Sequence, residues 1–168
     1  MKKIMMLFFA ALFVQGCSYA ISPEMTGKAD KTASFEKLLA EPDVFTGRIL
    51  ILGGIITQIT TVNQGMLIEV DQKKLDYWGK PERTSRTGGR FIIFHPGYLN
   101  ALIYGQGVGI TVAGEVLGFS SPMIGDRQYA FPILLVKELK LWARERGPKD
   151  SPTWIDPLYD PAGRSRPE

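Results

Sequence analysis

The chain has 168 residues, 45% hydrophobic and 22% charged, a balance that excludes a disordered or collagen-like polymer; 18 glycines and 11 prolines point to many turns. A single Cys excludes an internal disulfide framework and a Cys-rich metal cluster, and one His leaves no His pair for a zinc or iron site. The formal charge of +3 includes Lys2 and Lys3; without them 18 basic groups face 17 acidic ones, net +1, so charge gives no argument for a nucleic-acid partner.

Lys2 and Lys3 precede an apolar run from Ile4 to Val14. At about 1.5 Å rise per residue this run is too short to cross a hydrocarbon core of roughly 30 Å, and it fits the h-region of a secretory signal. Val14-Gln15-Gly16-Cys17 follows and ends on the only cysteine. The tetrapeptide resembles a bacterial lipobox, although Gln15 is larger than the small residue usual there. The resemblance implies cleavage between Gly16 and Cys17, a thioether-linked diacylglycerol and an N-acyl chain such as palmitate on Cys17, and no other cofactor. Each buried methylene contributes about 0.8 kcal/mol and two chains already anchor stably, so such a group would hold permanently. The alternative is an ordinary signal peptide with Cys17 as a bystander thiol. Ser18 in place of Asp favours sorting to the outer membrane by the rule known for enteric-type lipoproteins.

Residues 17–31 are polar, with little periodicity, and read as a lipidated tether. A helix is expected next, capped by Ser34, with Phe35, Leu38 and Leu39 on one face and Pro42 as its stop. Arg48 to Thr60 is a β-branched, apolar strand whose Gly53-Gly54 marks a bulge or sharp coil. Asn63-Gln64-Gly65 turns the chain into a second strand, Met66 to Val70. Asp71 to Arg90 is a long polar loop. Phe91 to Phe94 is a third strand, ended by His95-Pro96-Gly97. Leu99, Leu102 and Ile103 have helical spacing over Tyr98 to Tyr104, enough for one or two turns. Val108 to Leu117 and Tyr129 to Trp142 complete five strands. The expected fold is mainly β: a small five-stranded OB-like Greek-key barrel over 32–146, with one N-terminal helix and a short helix between strands three and four. An open five-stranded sheet is the alternative. Five prolines after Gly147 make 147–168 a Pro-rich flexible tail behind the 1–16 signal, the tether and the barrel.

Lys31 to Arg48 running into Gly53-Gly54-Ile55-Ile56, Gly89-Arg90-Phe91 to Leu99, Gly109 to Gly114, and Tyr129 to Trp142 together resemble the Slp family of outer membrane lipoproteins. The likeness covers nearly all of the mature chain except the tail. Its short hydrophobic motifs are specific through their order and spacing together with the lipobox. The resemblance implies a starvation-related envelope component with no known enzymatic activity. Cys17 is the only functional position that it carries over.

No catalytic or metal-binding constellation stands out. His95 has no partner motif, Gly105-Gln106-Gly107-Val108-Gly109 leads into a strand where a phosphate loop would open a helix, and Glu69, Asp71, Asp76, Glu115 and Glu138 are scattered over different elements. The loop from 73 to 90 is richer. Lys73, Lys74, Lys80, Arg83, Arg86 and Arg90 outnumber Asp76 and Glu82 around Tyr77-Trp78. Tyr77, Trp78, Lys80, Arg83 and Arg86 are the candidate binding residues for lipopolysaccharide phosphates, a glycan or another envelope partner. The competing reading is a solvated loop with Trp78 folded onto the barrel.

Two functions are therefore expected in order. The first is a non-catalytic lipoprotein on the periplasmic face of the outer membrane, whose partners are the bilayer and the lipoprotein-processing and sorting machinery. The second is a binding module working through the basic-aromatic loop. A hydrolase would need His95 to act, and an integral outer-membrane barrel would need at least eight strands.

Overall fold

A computed structural model describes residues 19–100, 103–121, 123–124, 127–128 and 130–143. The signal, Cys17 and the 147–168 segment lie outside the described residues. Three short helices come first, α1 (Pro23–Lys28), α2 (Phe35–Ala40) and α3 (Pro42–Phe45). The strands are β1 (Ile49–Val62), β2 (Gly65–Gln72), β3 (Arg90–Pro96), β4 (Gly109–Ser120), β5 (Met123–Ile124), β6 (Arg127–Gln128) and β7 (Phe131–Trp142).

Five of these strands close a barrel in the order β1-β2-β3-β7-β4. β1 is long enough to belong to two pairings. Ile49 to Ile55 run antiparallel to β4, from Glu115 back to Gly109, and Gly54 to Val62 run antiparallel to β2. Gly54 and Ile55 belong to both ladders. The parallel pairing of β3 with β7, Ile92↔Ile133 to Phe94↔Leu135, closes the ring. The fold is thus mainly β, a closed five-stranded mixed barrel with a few short helices, in agreement with the sequence.

Alternation decides what lies inside. Leu50, Leu52, Ile56, Ile68, Val70 and Ile93 share the interior with Ile110, Val112 and Leu134, and all are buried. α2 completes this core with Phe35 and Leu38, and α3 adds Phe45; the Phe35 and Phe91 rings are tilted at 6.2 Å between centroids. Ser34 caps α2 as expected, accepting from the Lys37 amide at 3.2 Å. Pro42 ends that helix and opens the next, because its missing N–H costs nothing at a first helical position.

Several local expectations are corrected. The bulge in β1 falls between Ile56 and Gln58, not at Gly53-Gly54. The paired glycines instead allow close approach, since a Cβ on Gly54 would run into the Asp71 carbonyl oxygen and one on Gly53 into the Leu75 side chain. The short helix expected over 98–104 falls partly on residues 101–102, outside the described residues; on either side of them, the Ile103 and Tyr104 amides both donate to the Asn100 carbonyl in a turn. The β5–β6 hairpin, Met123↔Gln128 and Ile124↔Arg127, was not expected.

The N-terminal segment differs most from its sequence reading. From Tyr19 onward it is folded against the barrel, not a free tether. Ala20 and Ile21 are 7% and 4% exposed and form a second apolar cluster with Ala113, supported by Met25, Ile49, Ile51 and Trp142. Ile49, Ile51 and Ala113 alternate with the interior residues, so this cluster lies on the outer face of β1 and β4. Ser22 fastens it: its amide and hydroxyl donate to the two Glu138 carboxylate oxygens at 2.9 and 2.7 Å, and its hydroxyl accepts from the Met25 amide at the start of α1. Downstream, the Asp30 amide donates to the Ile49 carbonyl at 2.9 Å.

Candidate functional site

The long loop is closed at its base by the Gln72 amide donating to the Gly89 carbonyl at 2.9 Å. Lys73 turns inward. Only 7% exposed, it pairs with Asp71 at 2.9 Å and donates to the Arg86 carbonyl at 3.1 Å. Partial burial pushes the Asp71 carboxyl up, but the Thr87 hydroxyl and the Lys73 ammonium outweigh it and hold the group below its ordinary value. Lys73 is thus part of the loop's scaffold and is withdrawn from the basic surface that the sequence suggests. Arg90 is similarly engaged, 3.8 Å from Glu69.

Residues 74–82 form a small tongue. Leu75 bridges Pro81, the Asp76 amide donates to the Lys80 carbonyl, and the Glu82 amide donates to the Lys74 carbonyl. One Asp76 carboxylate oxygen accepts from the amides of Trp78 and Lys80 at 2.9 and 2.8 Å, which is why an acid and Gly79 (φ 80°) shape the tip. The tip is pinned to the barrel. Buried Thr111 donates to the Gly79 carbonyl at 2.6 Å and accepts from the Trp142 indole at 2.9 Å, and the Ala20 amide donates to the Trp78 carbonyl at 3.3 Å.

This arrangement separates the candidate residues. Tyr77 and Trp78 are at the tip, 78% and 47% exposed, with rings meeting edge to face at 5.2 Å. Tyr19, 52% exposed, lies 6.2 Å from Trp78 between ring centroids and belongs to the same cluster, although the sequence reading left it in the tether. Together they rim a shallow depression of about 170 Å³ floored by Ala20, Ile21 and Ile51. Lys80 is half-buried beside the tip.

Arg86 lines a different groove, about 630 Å³, between α2 and the far limb of the loop, with Lys74, Glu36 and Glu82. Arg83 points elsewhere again, its guanidinium 3.5 Å from the Gly107 carbonyl. The expected basic-aromatic surface is therefore two surfaces, one aromatic and one of mixed charge. Trp78 is half-exposed and lines the depression beside Ala20, Ile21 and Ile51.

His95 is the penultimate residue of β3, opposite Met66, and its Nδ1 is enclosed without a hydrogen-bond partner. Nor do the described residues include a group of three or more His, Cys, Asp or Glu placed to hold a metal ion. No helix among them is long and apolar enough to cross a membrane.

No curated protein and no solved structure matches the chain. A family model does: the outer membrane lipoprotein Slp family, over residues 14–166. The match begins inside the lipobox-like tetrapeptide and takes in every described element of the fold. The chain therefore belongs to the Slp family of outer membrane lipoproteins.

Proposed function

We propose that this chain is a non-catalytic lipoprotein of the outer membrane, held at the periplasmic face through an acylated Cys17 and serving as a structural or stress-related component of the envelope. The observation that carries the reading is the position of Cys17. It follows an apolar signal-like run, lies within the family match, and stands two residues before Tyr19, where the described residues begin. Lipid-processing and sorting machinery are the partners this chemistry requires, and the acyl groups on Cys17 are its only prosthetic chemistry.

Intact-mass measurement of the native protein, with inner and outer membranes separated on a density gradient, tests it. The expected product lacks residues 1–16, carries the mass of the acyl chains, and travels with the outer membrane; Cys17→Ala abolishes all three. A soluble product with a free thiol refutes anchoring.

A second reading, recognition of a glycan, lipopolysaccharide or other envelope polymer, has support from the 630 Å³ groove. Lys74 and Arg86 sit there among Thr84, Ser85 and Thr87. Arg86→Ala is then expected to weaken retention on isolated lipopolysaccharide or cell-wall fractions. Failure of the wild-type chain to bind either fraction ends this reading.

A further inference from the structure

The sole cysteine stands two residues before Tyr19. Consecutive Cα atoms are about 3.8 Å apart, so the Cys17 Cα lies no more than roughly 8 Å from that of Tyr19. The chain has no slack after that point. Ala20 and Ile21 are buried on the barrel, the Ala20 amide is bonded to the Trp78 carbonyl, and Ser22 is bonded twice to Glu138. A lipid group on Cys17 must therefore meet the bilayer beside the surface that carries Tyr19, Tyr77 and Trp78.

These three residues suit that place. Each joins a large apolar ring to a polar O–H or N–H, the combination that favours the headgroup level of a membrane. They form a continuous cluster, Tyr19 to Trp78 to Tyr77, at centroid distances of 6.2 and 5.2 Å. The tip that carries Tyr77 and Trp78 is held by Asp76 and by the Thr111–Trp142 pair, and Ala20, next to Tyr19, is bonded to the Trp78 carbonyl, so the rings are presented on a fixed support and little ordering is required on contact. The other large exposed apolar side chains among the described residues, Val44, Tyr98, Ile103 and Leu117, come from other elements and loops.

We infer that the Tyr19–Tyr77–Trp78 cluster is a membrane-contact surface that seats the barrel directly on the phospholipid interface of the leaflet holding its anchor. This rests on the reading of Cys17 as the anchor. The occupant is the phospholipid headgroup layer, selected by how short the chain between Cys17 and the cluster is.

The test uses the acylated full-length product, purified from membranes and reconstituted in phosphatidylcholine vesicles containing lipids brominated near the headgroup end of the chain. Trp78→Phe is carried in parallel, since it keeps an aromatic ring at a half-exposed position. Wild-type protein is expected to lose part of its tryptophan emission to the brominated lipids, and Trp78→Phe to lose much less. Equal quenching of the two proteins, or none in wild-type protein that floats with the vesicles, overturns the seating while leaving the anchor intact. Protein of unacylated mass that does not float removes the anchor, and the seating with it.

Discussion

Asp30 joins the N-terminal segment to the barrel and carries the clearest titration argument. Its carboxylate accepts from the Thr32 hydroxyl at 2.7 Å, from the Arg48 guanidinium at 2.6 Å and from the Thr32 amide at 2.8 Å. These donors favour the ionised form and bring its pKa down to about 2. A carboxyl whose pKa is lower folded than unfolded stabilises the fold above the unfolded value, and loses that contribution as pH falls through the folded one. Urea midpoints are therefore expected to drop from about pH 4 towards pH 2, with Asp30→Asn showing a shallower fall. Parallel profiles for the two proteins would rule out this role for Asp30. Gly54 marks a second sensitive position: its Cβ would meet main chain, which cannot swing aside as a side chain does. Gly54→Ala is expected to destabilise by about 2 kcal/mol or more in chemical denaturation, the upper part of the overpacking range.

At the scale of elements, the five barrel strands were legible because each alternates apolar and polar residues or runs wholly apolar between turn residues. Leu50, Leu52 and Ile56, or Ile110 and Val112, can be assigned to one face by counting. α2 was legible from Ser34, Phe35 and Leu38 for the same reason. The failures share a different cause. α1 spans six residues, buries none of them and includes Gly27, so nothing in its periodicity marks it; its place is fixed by Ser22 meeting Glu138, 116 positions away. The helix expected after β3 rested on three apolar residues, and its middle, residues 101–102, lies outside the described residues. The candidate surface was half legible. Tyr77 and Trp78 stand out in composition, but the contribution of Tyr19 and the inward turn of Lys73 depend on contacts far along the chain. Docking of the N-terminal segment gives a direct prediction. Ile21→Ala removes most of a side chain that is 4% exposed, and buried Ile→Ala changes cost about 2–5 kcal/mol. A thermal or urea midpoint equal to wild type would mean that residues 19–22 do not pack as described.

For the molecule as a whole, the consequence lies in how the barrel meets its membrane. A lipoprotein domain on a flexible leader samples many orientations, and its surface residues meet lipid only by chance. Here β1, β4 and β7 form the wall on which Ala20, Ile21 and Ser22 are fixed, so under the proposed anchoring through Cys17 the lipid group and the barrel would turn together. Restoring a flexible leader separates the two. Twelve Gly and Ser residues inserted between Ser18 and Tyr19 would span about 20 Å as a random coil, enough to lift the aromatic cluster clear of the headgroups. The insertion leaves every contact from Tyr19 onward in place, so the unfolding midpoint is expected to stay within about 0.5 kcal/mol of wild type. Emission from Trp78 in anchored protein should then become less sensitive to brominated lipid and more accessible to an aqueous quencher. If the elongated protein is quenched by lipid as strongly as the native one, the short leader is not what sets the orientation; the aromatic cluster would then hold the bilayer through its own affinity.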